Sequence, residues 1–419
     1  MRRALSNWRR RELAQWHERV DVGIVGGGMV GLTLASALRD RGLRVALIER
    51  GEGRVRTSLG RDCRVSAIVY GNVQILRGLG AWEHLQSEAE AIEQMRVWDD
   101  QHAGGIRFDA VEIGQPALGY LVENSRLQDA LRRTLLMTDS VELHCPAEVA
   151  RLDFDEDMVR IELKEGGRIE TPLLVAADGA QSWVRAQAGI DCFQRDYGQK
   201  GIVATVRPQL PHRNIAYQRF TPTGPLAMLP LPDGLCSIVW SNMNAQADAL
   251  LALDDAAFLR ALNEVFGPVL GEIVEVGTRA AFPLRAQLAR HLVRPRLALI
   301  GDAAHTIHPL AGLGVNLGIR DAMVLAQEIV DAARFEEDWG TLPVLRRYLR
   351  QRLPDVLAVM GGMEAFHRLF TARVSGLHLV RGLGMRAVGN SGAVKALLMR
   401  NATGLSLPVP RQITWAHRG

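Results

Sequence analysis

Acidic residues run out where the chain is most basic. After Glu364 there is no Asp or Glu in the last 55 residues, which carry seven arginines and Lys395. Residues 1–20 are also basic, with six arginines against Glu12 and Glu18, so the net charge of +4 divides into +4, then −8 over residues 21–364, then +8. Basic ends interleaved with Leu, Phe, Val and Trp suit an anionic membrane surface. No recognised nucleic-acid-binding motif accompanies them, which argues against a nucleic-acid partner. Cysteine is scarce: Cys63, Cys145, Cys192 and Cys236 lie far apart with no C-x-x-C pair. That excludes a disulfide framework, gives no reason to expect a metal, and fits a reducing compartment. No uninterrupted apolar run of about 18 residues occurs, and the N-terminus lacks the apolar core of a signal peptide. The expectation is a cytoplasmic protein peripheral to the inner face of the membrane. G-x-S-x-G, H-E-x-x-H and Ser-His-Asp spacings are also missing, so no side-chain nucleophile is indicated.

The remainder is ordinary globular composition, 47% hydrophobic and 23% charged over 419 residues, enough for two or three domains. The segment DVGIVGGGMVGLTLASALRDRGLRVALIER reads as a strand (Val22 to Val25), a G-x-G-x-x-G turn, a helix (Leu32 to Arg41) and a second strand (Val45 to Ile48) closing on Glu49. A lone G-x-G-x-x-G is weak evidence. Here it follows a strand, opens a helix and has an acid 21 residues after Gly28, which completes a βαβ dinucleotide fingerprint. Gly26 permits the tight turn, Gly28 the approach of a pyrophosphate, and Gly31 the packing of helix on strand. Glu49 accepts from an adenosine ribose hydroxyl and repels a 2′-phosphate, so the nucleotide is FAD or NAD rather than NADP. No second G-x-G-x-x-G is present, so a nicotinamide would visit rather than occupy a domain of its own.

Two further apolar strands end on Asp-Gly pairs: Leu173 to Ala176 before Asp178-Gly179, and Leu297 to Ile300 before Gly301-Asp302. The second opens LALIGDAAHTIHPLAGLGVNLGIRDAMVL, whose glycines (Gly312, Gly314, Gly318) bring backbone N–H groups close to something flat or anionic at a helix start. Between these landmarks, residues 94–122 read as antiparallel strands, SRLQDALRRTLL as a helix with Ser125 as N-cap, and residues 143–171 as short strands. The expected organisation is a basic amphipathic extension (1–20), a Rossmann-type domain in two parts (21–194 and 286–335), an inserted β-sheet substrate domain (195–285) and a helical basic C-terminal region (336–419). The helical tail is expected to break at Gly361-Gly362 and at Gly382 to Gly384. The fold class is thus α/β locally and α+β overall.

GGGMVG, the ADG at 177–179 and the GDAAH at 301–305, in this order, resemble the single-Rossmann FAD-dependent aromatic monooxygenases, the p-hydroxybenzoate hydroxylase fold group. Within that group, DCRVSAI, LGYLVEN, ADGAQSWVR, YQRFTPTGPLAMLPL and GDAAHTIHPLAGLGVNLGIRDA look like the ubiquinone-biosynthesis hydroxylases, over about residues 20–370. The resemblance implies bound FAD, with NADH or NADPH as transient co-substrate. It implies hydroxylation of a polyprenylated phenol by O2 through a flavin hydroperoxide, with the membrane surface or a biosynthetic complex as partner. It places Gly26, Gly28, Gly31 and Glu49 on the ADP half of FAD, and Arg64 near the flavin and pyrophosphate. Asp178 and Gly179 fall in a motif handling FAD and NAD(P)H. Asp302 falls on the ribityl hydroxyls, and Pro309 to Asn316, including Gly312 and Gly314, around the isoalloxazine. One departure is Leu313, where the family usually has glutamine. No catalytic base is identified; His305, His308 and Pro309 are the candidates, against a reading of the two histidines as loop residues bonded to backbone. Alternatives are a same-fold hydroxylase or epoxidase of another substrate, or a non-catalytic FAD-binding accessory protein. The halogenase signature W-x-W-x-I-P is absent.

Overall fold

The computed structural model describes residues 16–51, 57–99, 105–307, 314–371 and 391–405. Its centre is a six-stranded sheet in the order 141–144, 45–48, 22–25, 174–176, 297–299, 293–294, parallel throughout except for the last pair. Successive residues on these strands feed opposite cores. Val22, Ile24, Val45, Leu47, Val175 and Ala298 point into one apolar cluster, and Ala46, Ile48, Leu174, Ala176, Leu297 and Leu299 into another. Burial on both faces is what makes these strands continuous apolar runs rather than alternating ones.

The register sets the ends of the strands side by side. Ala176 lies opposite both Val25 and Leu299, and Val25 opposite Ile48. Backbone bonds carry the alignment one residue further, from Gly26 N–H to Ile48 C=O (2.9 Å), Ala177 N–H to Val25 C=O (2.8 Å) and Ile300 N–H to Ala176 C=O (3.0 Å). Turns more than 250 residues apart in sequence therefore open on one carboxyl edge.

A second sheet of nine strands covers that edge. It holds strands Cys192–Pro208, Ile215–Thr221, Gly224–Pro230, Cys236–Met243 and Ala280–Ala289, but it also recruits Gln94–Asp99, Ile106–Asp109 and His305–Thr306. Strands 94–99 and 215–221 pair in parallel, a long-range contact without local signal in the sequence. Two helices follow strand Cys236–Met243, Asn244–Ala252 and Asp255–Phe266, parted where the Asp254 carboxylate accepts from Ala257 N–H at 2.7 Å.

Four local expectations are corrected. Residues 1–15 lie outside the described residues, but His17–Arg19 form a strand parallel to Arg168–Thr171, so the extension expected over 1–20 is joined to a sheet at its end. The first helix is Met29–Leu38 rather than Leu32 to Arg41, because it begins directly on the extended Gly28. Ser125 lies inside helix Asn124–Leu135 rather than capping it; its N–H donates to Asp62 Oδ2 at 3.2 Å, so the cap comes from another segment. Helix Leu342–Thr371 runs through Gly361-Gly362 without a break. Its anchors Val344, Leu345, Tyr348, Arg352 and Val356 are buried, and such packing outweighs a cost of about 1 kcal/mol per helical glycine. The break expected at 382–384 lies outside the described residues. No helix among the described residues is long and apolar enough to cross a membrane.

Candidate functional site: a dinucleotide cleft at the strand ends

The glycines of the first turn differ in what surrounds them. A Cβ on Gly26 would fall 2.4 Å from the Ala177 carbonyl oxygen, in a backbone with φ +111°, and one on Gly31 would fall 1.9 Å from the Gly26 carbonyl oxygen. Both are fixed by protein–protein approach. Gly28 has φ −74°, and a Cβ there would meet nothing within 4 Å. That open face, at the start of a helix whose first N–H groups lack intrahelical partners, is the space a pyrophosphate needs. Gly28→Ala is therefore expected to leave the melting temperature of the FAD-free protein within a few degrees of wild type. FAD affinity in a fluorescence titration should fall about tenfold or more. Unchanged affinity would remove Gly28 from the cleft.

Glu49 anchors the turn before any ligand arrives. Its Oε2 accepts from Gly27 N–H at 2.6 Å and its Oε1 from Gly51 N–H at 3.1 Å. Arg64 stands at a corner built by neighbouring acids. Asp62 Oδ1 accepts from its N–H at 2.9 Å, Glu123 Oε2 fixes Asp62 N–H at 2.7 Å, and the Arg64 side chain remains 46% exposed.

The turns at 178 and 302 are tied together by Arg185. Its guanidinium donates to Ala303 C=O (2.8 Å) and to Ala180 C=O (2.9 Å), while Ser182 Oγ caps its N–H at 3.0 Å. Asp178 Oδ2 accepts from Val184 N–H at 3.0 Å; its Oδ1 is buried and meets no donor among the described residues. Gly179 has φ +85°, so the chain reverses here with little steric cost.

Asp302 is an exposed residue whose carboxyl is nonetheless crowded by surrounding protein. That burial pushes its carboxyl above the ordinary range, with His305 opposing the shift and Asp321 adding to it. Its Oδ1 lies 3.9 Å from where a Cβ on Gly314 would stand, which sets the carboxylate beside the start of helix Gly314–Arg334. The helix is held close: a Cβ on Gly318 would lie 2.5 Å from Val30 Cγ2 and 3.1 Å from Gly301 Cα. Asn316 is buried and faces inward. Its Oδ1 accepts from Val69 N–H and Asn72 Nδ2 (both 3.0 Å) and its Nδ2 donates to Ala67 C=O at 2.7 Å, which ties the start of this helix to residues 67–72. His308, Pro309, Gly312 and Leu313 lie outside the described residues.

His305 points away from the cleft. Only 1% exposed, it sets Nε2 2.6 Å from Asp321 Oδ2, an oxygen that also accepts from Gly301 N–H at 3.0 Å; Asp321 Oδ1 accepts from Arg352 Nε at 2.8 Å. The partner of His305 is thus a carboxylate rather than backbone. Sequence reasoning missed Asp321 and Arg352. The available signal was an acid inside an otherwise apolar helix face, though nothing local pairs it with residues 16 and 31 positions away.

Between strands 192–208 and 280–289 and the distal part of helix 342–371 lies a cavity of about 360 Å³. Phe193, Leu288, Ile307, Met360 and Met363 supply its apolar walls and Arg195 and Glu364 an ion pair at its rim. Ile307, on its wall, is the last described residue before the 308–313 segment.

An open glycine at a helix start, an acid at the end of the second strand, an orphaned carboxylate oxygen at 178 and a carboxylate just past strand Leu297–Leu299 suit FAD. Together with the covering sheet, they define a single-Rossmann flavoprotein of the monooxygenase class. A family model described as an FAD binding domain matches residues 19–361. The chain is 38% identical over 387 residues to 3-demethoxyubiquinol 3-hydroxylase of Escherichia coli (strain K12), covering 92% of this chain and 98% of that protein. It is 39% identical over 384 residues to ubiquinone hydroxylase UbiL of Rhodospirillum rubrum, with 92% and 89% coverage. The chain belongs to the FAD-dependent hydroxylases of ubiquinone biosynthesis. Its fold is also that of p-nitrophenol 4-monooxygenase PnpA from Pseudomonas putida DLL-E4, with a TM-score of 0.77 at 20% identity over 94% of this chain and 98% of that one.

Proposed function

We propose that this protein hydroxylates the aromatic ring of a polyprenylated phenol in ubiquinone biosynthesis, using NADH or NADPH and O2, while lying against the membrane that holds its substrate. The observation that carries the reading is the in-register convergence of the 26–31, 178–179 and 301–302 turns beside an apolar-walled cavity. The names of its relatives support the same pathway.

FAD, when bound, supplies the redox chemistry; the chain supplies placement and shielding. Gly28 and the helix start at Met29 receive the pyrophosphate, and Glu49 takes the adenosine ribose. Asp302 accepts from the ribityl chain, and the N–H groups at the start of helix Gly314–Arg334 offset negative charge on the reduced ring. Arg64, Asp178 and Gly179 border the same cleft, and Pro309 and Gly312 complete the ring's surroundings in this reading. The apolar walls exclude water and admit a hydrophobic substrate. Catalysis by His305 has no support in its placement, and His308 lies outside the described residues.

Deletion of the gene, followed by mass spectrometry of the extracted quinone precursors, is expected to show accumulation of an under-hydroxylated polyprenylphenol. Absence of any such precursor would contradict the pathway while leaving the flavoprotein assignment intact.

A further inference from the structure

Helix Gly392–Ala402 has two unlike faces. On one, Lys395, Met399 and the following Thr403 are buried. Lys395 Nζ pairs with Glu112 Oε1 at 2.7 Å and stands over the Phe108 ring, Thr403 C=O accepts from Gly71 N–H at 2.9 Å, and Gly404 C=O accepts from Arg320 Nη2 at 2.6 Å. On the other, Val394, Leu397 and Leu398 are 48%, 59% and 46% exposed. Their spacing of three and four residues makes them one stripe. Val111, 80% exposed, stands on the short helical turn Ala110–Ile113 against which this helix packs.

We propose that the Val394–Leu397–Leu398 face is the surface by which the protein lies on an anionic lipid bilayer. The inference deepens the reading of a membrane-resident substrate and rests on it. Charge selects the occupant: the 55 residues from 365 to 419 carry eight basic side chains and no acid, and Arg400 is exposed at the end of the same helix. A sequence basic on both sides of an aliphatic stripe matches anionic headgroups over acyl chains. Interfaces between proteins instead mix signs at the rim and favour aromatic anchors at the centre. Position gives the face its use. Gly71 sits in the first turn of helix Tyr70–Gly78, whose Asn72 is bonded to Asn316, and Arg320 lies on helix Gly314–Arg334. The residues that follow this helix therefore brace helices Tyr70–Gly78 and Gly314–Arg334, the second of which starts beside the Asp302 carboxylate.

The test is co-flotation of the FAD-loaded full chain with vesicles containing phosphatidylglycerol, compared with pure phosphatidylcholine vesicles. Wild type is expected to float with the anionic vesicles and several-fold less at high salt. Leu397→Asp combined with Leu398→Asp should lower the bound fraction about tenfold or more with FAD content unchanged. If that variant loses FAD, Leu397→Gln and Arg400→Glu, examined singly, each should still weaken flotation. Equal flotation of wild type and a folded variant would overturn the assignment of the face. So would a wild type that ignores vesicles and loses only a protein partner when Leu397 is changed. Vesicle binding through this face without turnover of a polyprenylphenol would support the docking surface while contradicting the substrate reading.

Discussion

Asp302→Ala is expected to give a folded protein that retains about a tenth or less of stoichiometric FAD after gel filtration. The carboxylate is the acceptor at the end of strand Leu297–Leu299, and the surrounding backbone does not depend on it for its own bonds. The Gly301 N–H goes to Asp321, and the Ala303 C=O to Arg185. Removing Asp302 thus leaves the turn's internal hydrogen bonds in place and, on the proposed reading, deletes only the contact to the ribityl chain. Because burial raises its pKa, FAD affinity should also weaken as pH falls through that raised value, since a protonated carboxyl accepts less well from a hydroxyl. Absorbance of released flavin measures the first effect, and titration of the wild-type apoprotein across pH the second. Full FAD retention by the variant would contradict the role given to the turn.

The second large effect belongs to Asp321. This carboxylate is fully buried, and burial opposes its ionisation. His305 and Arg352 more than offset that and hold it below the usual carboxylate range. Asp321→Ala leaves His305 without its acceptor in the core and Arg352 with Asp355 alone, and frees the Gly301 N–H. The expected loss is about 3–5 kcal/mol, a large share of a typical domain's stability of about 5–15 kcal/mol. A carboxyl whose folded pKa is depressed contributes its stability above the unfolded value, near 3.9. That contribution is lost as pH falls through the lower folded value. Urea unfolding should therefore show wild type and variant separated widely at neutral pH and converging in acid. A variant as stable as wild type at neutral pH would show that the network is not what holds the turn.

The placement of this network explains why His305 attracted a catalytic reading from sequence. A histidine three residues after a strand-end aspartate resembles an acid–base pair when only local spacing is visible. Its actual partner is 16 residues onward on helix Gly314–Arg334, and the pair is braced by Arg352 from a further helix. Local patterns elsewhere were sufficient. The continuous apolar strands, the G-x-G-x-x-G turn and Glu49 located the sheet and the first turn at its carboxyl edge, because their physics is contained within about thirty residues. The covering sheet was less legible. Strands 94–99 and 106–109 join it across more than 100 residues, and nothing in their alternation names a partner. Ser125 misled for the same reason, since the acceptor capping that helix is Asp62. What sequence could not supply was long-range pairing, and long-range pairing is what converts three separate turns into one site.

The central claim is oxygen insertion from O2 into a phenolic ring at an FAD cleft. Its most direct test is turnover of a polyprenylated phenol by the purified FAD-loaded protein with NADH or NADPH under dioxygen enriched in the heavy oxygen isotope, followed by mass spectrometry of the phenol. The account predicts a product bearing one additional hydroxyl whose oxygen carries the label. Oxidation of the nicotinamide with an unchanged phenol, or a hydroxyl whose oxygen comes from water, would contradict it.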